Sequence, residues 1–291
     1  MNRGNLLMLR QGSSDHTMVF VHPAGGSAGA FRQLLAHLDT IWTVLAYEAI
    51  EPGPPERCSV LAIAEDYLEE LTTTISPASI VLIGWSFGGA VAVEMARLAE
   101  AGGHPPKAVL LLDSSTPNVL ARQERSPAAE MAALFGVDVT AADGKETTAL
   151  EEAAAAINRA SPGAGISSQE LRPFVEIFHW HLDAARQPWS GLPCAAPTFL
   201  VRAADEKGRR GERADLGWSA VFGHLLELRS TPGTHHSLIA AENALALTHL
   251  IHETVADLTR QREGTQTADI SRLHSRDAQQ DRDHVRGAAC Q

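Results

Sequence analysis

Ser79-Ile80-Val81-Leu82-Ile83-Gly84-Trp85-Ser86-Phe87-Gly88-Gly89-Ala90 joins an apolar run, a Gly-flanked turn carrying one serine, and a helical stretch without a break. The order constrains the fold. A serine hydroxyl is a poor nucleophile unless the backbone holds it exposed beside a base. A G-x-S-x-G turn between strand and helix lifts the serine oxygen clear at the top of a sheet. Gly84 and Gly88 leave room for the bend, because a Cβ at either place would crowd neighbouring backbone. The helix from Ala90 to Leu98 then turns its N-terminal amides and positive dipole end toward Ser86.

The rest of the chain alternates in the same way. Thr17–His22 reads as the first strand, followed by the loop Pro23-Ala24-Gly25-Gly26-Ser27 and a helix over Ala28–Leu38. Ile41–Tyr47 and Ala108–Asp113 read as further strands, and Val60–Leu71 as a helix. Strands that are apolar on both faces, alternating with helices, predict an α/β fold with a mostly parallel sheet covered on both sides. From about 118 to 187 the pattern is helical only, over Ala128–Phe135, Thr147–Ala160 and Ser168–Arg186, with breaks at Gly136, Pro162-Gly163 and Pro188. A segment of that length is a helical insertion between two strands rather than a loop. Pro197–Arg202 and His224–Arg229 resume the sheet, and Leu238–Thr259 closes it as a helix. Residues 261–291 are polar and nearly free of large apolar side chains, which predicts a disordered tail after a catalytic domain over 1–260.

A net charge of −11 disfavours nucleic acid as a partner. Three scattered cysteines, an odd number, argue against a disulfide framework and for a reducing compartment. The apolar patch at Leu6–Leu9 is broken by Arg10-Gln11-Gly12 before it reaches signal-peptide length, and no run is long enough to span a membrane. The expectation is a soluble cytoplasmic protein with no membrane association.

A nucleophilic serine needs a base, an acid and oxyanion donors. Pro232-Gly233-Thr234-His235-His236-Ser237 lies between the last strand and the last helix, where Gly233 permits a turn that aims an imidazole over the sheet. His235 is the expected base and His236 its rival. Asp113 and Asp205 both follow strands that end near such a histidine, and sequence geometry does not separate them. The Phe87 amide is one oxyanion donor by construction. The second is expected from Ala24 in His22-Pro23-Ala24-Gly25-Gly26, where His22 braces the loop. His179, His181 and His252 read as helix-surface or packing residues. Phe174, Phe178 and Trp180 are expected either to line or cover the pocket, which suggests a greasy substrate, or to form the core of the inserted helices.

Together, Gly84-Trp85-Ser86-Phe87-Gly88-Gly89, His22-Pro23-Ala24-Gly25-Gly26, Leu110-Leu111-Leu112-Asp113-Ser114 and Gly233-Thr234-His235 resemble the thioesterase domains of non-ribosomal peptide and polyketide synthases, over about residues 5–260. The resemblance implies an α/β-hydrolase fold with a lid. It implies Ser86 as nucleophile, His235 as base and, in the releasing type, Asp113 as acid; editing thioesterases and many other hydrolases favour the position of Asp205. It further implies a substrate carried as a phosphopantetheine thioester on an acyl or peptidyl carrier protein, released by hydrolysis or cyclisation, with no metal or redox cofactor. Lys207, Arg209 and Arg210 form a basic cluster that suits docking of an acidic carrier. The chain begins at Met1 and lacks a carrier domain, which makes a free-standing protein the expectation. Editing of stalled carriers and hydrolysis of free esters are the alternatives.

Overall fold

The computed structural model describes residues 5–14, 16–123, 126–133, 146–205 and 214–257. The chain divides into two compact units, Met1–Thr248 and His249–Gln291. The second is described over 249–257, which are helical, so the predicted tail lies outside the described residues. No helix among the described residues is long and apolar enough to cross a membrane.

The first unit is built on a seven-stranded sheet: β1 (Asn5–Arg10), β2 (Thr17–Val21), β3 (Thr43–Glu48), β4 (Ile80–Trp85), β5 (Ala108–Leu112), β6 (Thr198–Ala203) and β7 (Leu226–Thr231). Their order is β1-β3-β2-β4-β5-β6-β7. All neighbours are parallel except β1, which runs antiparallel to β3. The mostly parallel α/β sheet expected from the continuous apolar strands is therefore present. Alternate residues serve its two faces. Val19, Val21, Leu45, Tyr47, Leu82, Val109 and Leu111 join the core under α2 (Val60–Thr72) and α3 (Phe87–Ala101). Met18, Phe20, Val44, Ala46, Ile83, Leu110 and Leu112 are buried on the opposite face, where Phe31 packs on Phe20 at 4.8 Å between ring centroids.

Two local expectations are corrected. Thr17–Val21 is not the first strand, because β1 precedes it on the sheet edge. The apolar run of β1 is only four residues long, Leu6–Leu9, and as an edge strand it has one neighbour and leaves Met8 58% exposed. Its ends are tied by polar contacts instead: Leu6 N donates to Glu70 Oε1 at 3.1 Å, and the Arg10 guanidinium reaches the carbonyls of Leu35 and Leu38 at 3.0 and 3.1 Å. The helix expected over Ala28–Leu38 is a 3-10 turn at Ala28–Phe31 followed by the short α1 (Arg32–Leu35). Phe31, anchored on Phe20, sits at the junction where the winding changes.

Between β5 and β6 the chain leaves the sheet for α4 (Pro117–Leu120), α5 (Pro127–Ala133), α6 (Glu146–Ala160) and α7 (Ser168–Arg186). These form the inserted lid. α5, α6 and the first half of α7 share a small core of their own, with Ala128, Met131, Leu150, Ile157, Leu171 and Val175. The second half of α7 packs Phe178, Leu182 and Ala185 into the main core. α7 begins at a capping box, in which Ser167 accepts from Glu170 N and the Glu170 side chain accepts from Ser167 N. Beyond α7, Ser190 Oγ donates to Glu94 Oε1 at 2.9 Å, and Arg97 Nε donates to Glu94 Oε2 at 2.7 Å. Glu94 is 1% exposed, so this carboxylate on α3 anchors the segment that leads back to β6. Glu94→Ala is expected to lower the unfolding free energy by about 1–3 kcal/mol, and Glu94→Gln by less, in urea denaturation.

Candidate active site

β2 feeds β3 on one side and the chain then crosses to β4 on the other. The C-terminal ends of β2 and β4 therefore flank the point where strand order reverses, the place where open α/β sheets leave a crevice. His22-Pro23-Ala24 leaves the first of these ends and Ser86 the second. A cleft of about 330 Å³ opens there, lined by Pro23, Ala24, Gly25, Trp85, Ser86, Glu130, Met131, Phe178, His235 and His236.

Ser86 adopts φ 55° and ψ −122°, a conformation L residues rarely take, between β4 and the first turn of α3. Three contacts hold it. Ser86 N donates to Leu112 O at 3.0 Å, Ser114 Oγ donates to Ser86 O at 2.5 Å, and the turn closes through Gly89 N on Ser86 O at 3.2 Å. A Cβ on Gly84 would lie 2.3 Å from Gly88 O, and one on Gly88 would lie 2.3 Å from Val21 O and 2.4 Å from His22 O. The two glycines thus let the elbow pack directly on the end of β2.

His235 lies on the loop after β7, with Nε2 3.1 Å from Ser86 Oγ and Nδ1 2.8 Å from Asp113 Oδ2. Asp113 follows β5 at φ 41°, and its side chain is fully buried. Its Oδ1 accepts from Arg202 Nε at 2.9 Å and from Ala203 N at 3.2 Å. The guanidinium and the amide both favour the charged carboxylate, which in turn orients the imidazole. Asp205 does a different job: its Oδ2 accepts from Gly233 N at 2.8 Å, and its own amide donates to Gly233 O at 3.0 Å. It braces the loop that carries His235. Trp85 braces the same loop, donating from Nε1 to His235 O at 3.2 Å. His236 points elsewhere, with Nε2 3.4 Å from Glu130 Oε2 on α5.

Ala24 lines the cleft and Phe87 follows Ser86 at the start of α3; both are buried, and neither backbone amide donates a hydrogen bond among the described residues. Unclaimed N–H groups at a helix start and a loop apex are what a developing oxyanion requires. His22 is fully buried with Nδ1 2.8 Å from Pro23 O and Nε2 2.6 Å from Tyr67 OH, so it braces the loop as expected. His181 is a packing residue and not a surface one: it is wholly buried, with Nδ1 2.6 Å from Ala24 O. Its signal in the sequence is a polar residue on the apolar stripe that runs through Phe178, Leu182 and Ala185 of α7. Of the three aromatics expected at the pocket, only Phe178 lines the cleft. Phe174 is exposed, and Trp180 packs against the main core. The lining also includes a carboxylate, Glu130, which periodicity did not reveal. Arg202, 89 positions from Asp113 in the chain, left no local signal either.

Glu130, His235 and His236 bring one ligand atom each within 4.8 Å of one another. Both ring nitrogens of His235 are engaged by Asp113 and Ser86, so the trio leaves a metal only Glu130 and His236 unless the triad opens. Lys207, Arg209 and Arg210 lie outside the described residues.

Burial lowers the His22 imidazole from 6.5 to about 4, partly offset by its bond to Pro23 O. His181 is likewise held well below its ordinary value by burial, with His22 as a second cause. Between pH 6.5 and about 4 the unfolded chain takes up a proton at His22 that the fold does not. Stability is therefore full above that window and falls as pH is lowered through it, by about 3 kcal/mol for His22 alone. Urea midpoints measured from neutral pH down to about 4.5 check this, with His22→Asn expected to flatten the slope.

A family model described as "Thioesterase domain" matches residues 16–255. The chain is 30% identical over 229 residues to enterobactin synthase component F of Escherichia coli O157:H7, covering 74% of this chain and 16% of that protein. It is 24% identical over 247 residues to a probable non-canonical nonribosomal peptide synthetase, CymA, of Salinispora arenicola, covering 81% of this chain and 3% of that one. The chain thus spans a small part of the length of these relatives. In structure it is similar to a four-domain nonribosomal peptide synthetase bound to AMP and glycine, with a TM-score of 0.72 at 23% identity, over 86% of this chain and 20% of that one. The Vlm2 thioesterase domain gives 0.62 at 19% identity, over 86% and 97%. These structures share the fold, the family model spans most of the chain, and the Ser–His–Asp array stands where that fold places a reacting group: the chain belongs to the thioesterase domain family, with the chemistry of a serine hydrolase.

Proposed function

We propose that the protein releases an acyl or peptidyl chain from the phosphopantetheine arm of a carrier protein, through an acyl-enzyme on Ser86. The observation that carries this reading is the unbroken hydrogen-bonded line Ser86–His235–Asp113 at the mouth of a lidded cleft. His235 Nε2 takes the Ser86 proton as Oγ attacks the thioester carbonyl. Asp113 stabilises the imidazolium without accepting its proton. The Ala24 and Phe87 amides donate to the oxyanion. As the tetrahedral adduct collapses, the C–S bond breaks and His235 protonates the leaving thiolate. Water then attacks the ester, His235 again taking the proton, to give a free acid; a hydroxyl or amine of the chain itself gives a ring. The two described cysteines, Cys58 and Cys194, are free thiols, which suits a reducing cytoplasm. Apolar lining by Pro23, Trp85, Met131 and Phe178 favours a largely apolar acyl portion.

Intact mass spectrometry with a panel of acyl-loaded carriers tests the reading. Wild type is expected to gain one acyl mass, and Ser86→Ala to gain none. Turnover should fall about 10⁴-fold in Asp113→Asn, which imposes the wrong tautomer, and far less in Asp205→Asn, which still accepts from Gly233. Equal losses in the two aspartate variants would overturn the choice of acid. Turnover of free esters with no acylation from any carrier would favour an esterase.

The basic segment Lys207–Arg210 is assigned to carrier docking on its charge alone. Arg209→Glu with Arg210→Glu should raise KM for the loaded carrier and leave a small acyl thioester unaffected. Equal effects on both substrates would overturn the assignment.

A further inference from the structure

The reaction above uses the Ala24 amide, but two buried groups that hold that amide take no part in it. His22 Nδ1 donates to Pro23 O at 2.8 Å, and Pro23 O shares a peptide plane with Ala24 N–H. A peptide unit is rigid, so fixing the carbonyl fixes the direction of the N–H on its other side. Gly26 N donates to the same carbonyl at 2.9 Å. The donor on His22 is set by Tyr67: its hydroxyl lies 2.6 Å from Nε2 and donates to it, which leaves the ring proton on Nδ1. The next peptide plane is pinned from the other direction. His181, on lid helix α7, donates from Nδ1 to Ala24 O at 2.6 Å. Both planes that meet at Ala24 are thus held by imidazoles.

Two further observations separate this from ordinary packing. The rings lie 4.9 Å apart, fully buried, and burial keeps both neutral, so each donates one hydrogen bond without placing a positive charge under the loop. His181 Nε2 is buried with no hydrogen-bond partner. Such an orphaned acceptor is destabilising, and an apolar side chain would fill the same space without it. The donor at Nδ1 is the property of His181 that packing alone does not require.

We propose that His22 and His181 are positioning residues of the oxyanion hole, and that through His181 the aim of the Ala24 amide depends on how lid helix α7 seats against the loop. The inference rests on Ala24 being an oxyanion donor and Ser86 the nucleophile. It gives the lid a role besides covering the acyl chain. A substrate that seats α7 correctly completes the hole, and one that displaces α7 weakens it.

The test compares His181→Phe, which keeps a ring and loses the donor, with His181→Asn, whose side-chain amide nitrogen stands where Nδ1 stood. Three quantities are read: the acylation rate with a small acyl thioester, its KM, and the affinity for an alkyl boronic acid. The boronic acid forms a tetrahedral adduct on serine and so reports on the oxyanion donors. His181→Phe is expected to lose roughly 10- to 100-fold in acylation rate and a matching factor in boronic acid affinity, with KM little changed. His181→Asn should recover most of both. Boronic acid affinity unchanged in His181→Phe, or no recovery in His181→Asn, overturns the proposal. Should the Phe variant not fold, His181→Gln, whose amide sits one methylene farther out, replaces it: affinity below that of the Asn variant is expected, and equal affinities overturn the proposal. Boronic acid binding that survives Ser86→Ala would instead overturn the assignment of the nucleophile on which this inference stands.

Discussion

At the catalytic end of the sheet the start of α3 rests directly on the end of β2. Gly88 lies so close to the carbonyls of Val21 and His22 that a single Cβ would collide with both. This contact sets the separation between the serine elbow and the loop that carries Ala24. It also explains the strain at Ser86. With β4 paired to β5 through Ser86 N and with α3 pressed on β2, the residue between them has no room for an ordinary helix entry and takes φ 55° instead.

Charge at the site is arranged by burial and pairing. Asp113 is buried but has the Arg202 guanidinium and a backbone amide on one oxygen and His235 on the other. It can therefore stay ionised and orient the imidazole. The histidines beneath the loop have no such partner, and burial keeps them neutral. The difference has one physical reason: a buried charge persists only where a counter-charge or hydrogen-bond partners replace water.

α7 is the element that unites lid and core. Its first half packs into the lid's own small core and its second half into the main one, so it cannot shift without disturbing both. Phe178 faces the acyl cleft and His181 the loop, one turn apart on the same stripe. A single helix thus contributes both to the cleft lining and to the loop that carries Ala24.

The alternation of apolar strands and helices was legible in the sequence because parallel strands are buried on both faces and carry continuous Val, Ile and Leu. β1 was not, because its apolar run, Leu6–Leu9, is short and reads equally as an apolar patch near the N-terminus. The elbow at Ser86 and the loop at Ala24 were legible because each needs glycine where backbones touch, a local demand that leaves a local motif. The partners of Asp113 were decided only by the tertiary structure. Asp113 and Asp205 both end strands of the same sheet, and what separates them is the direction each side chain takes once β5, β6 and the loop after β7 are in register. The role of His181 belongs to the same class. Its helix was apparent from periodicity, but its hydrogen bond spans 157 positions of chain, and spacing in sequence carries no information about a contact made by folding the lid over the sheet.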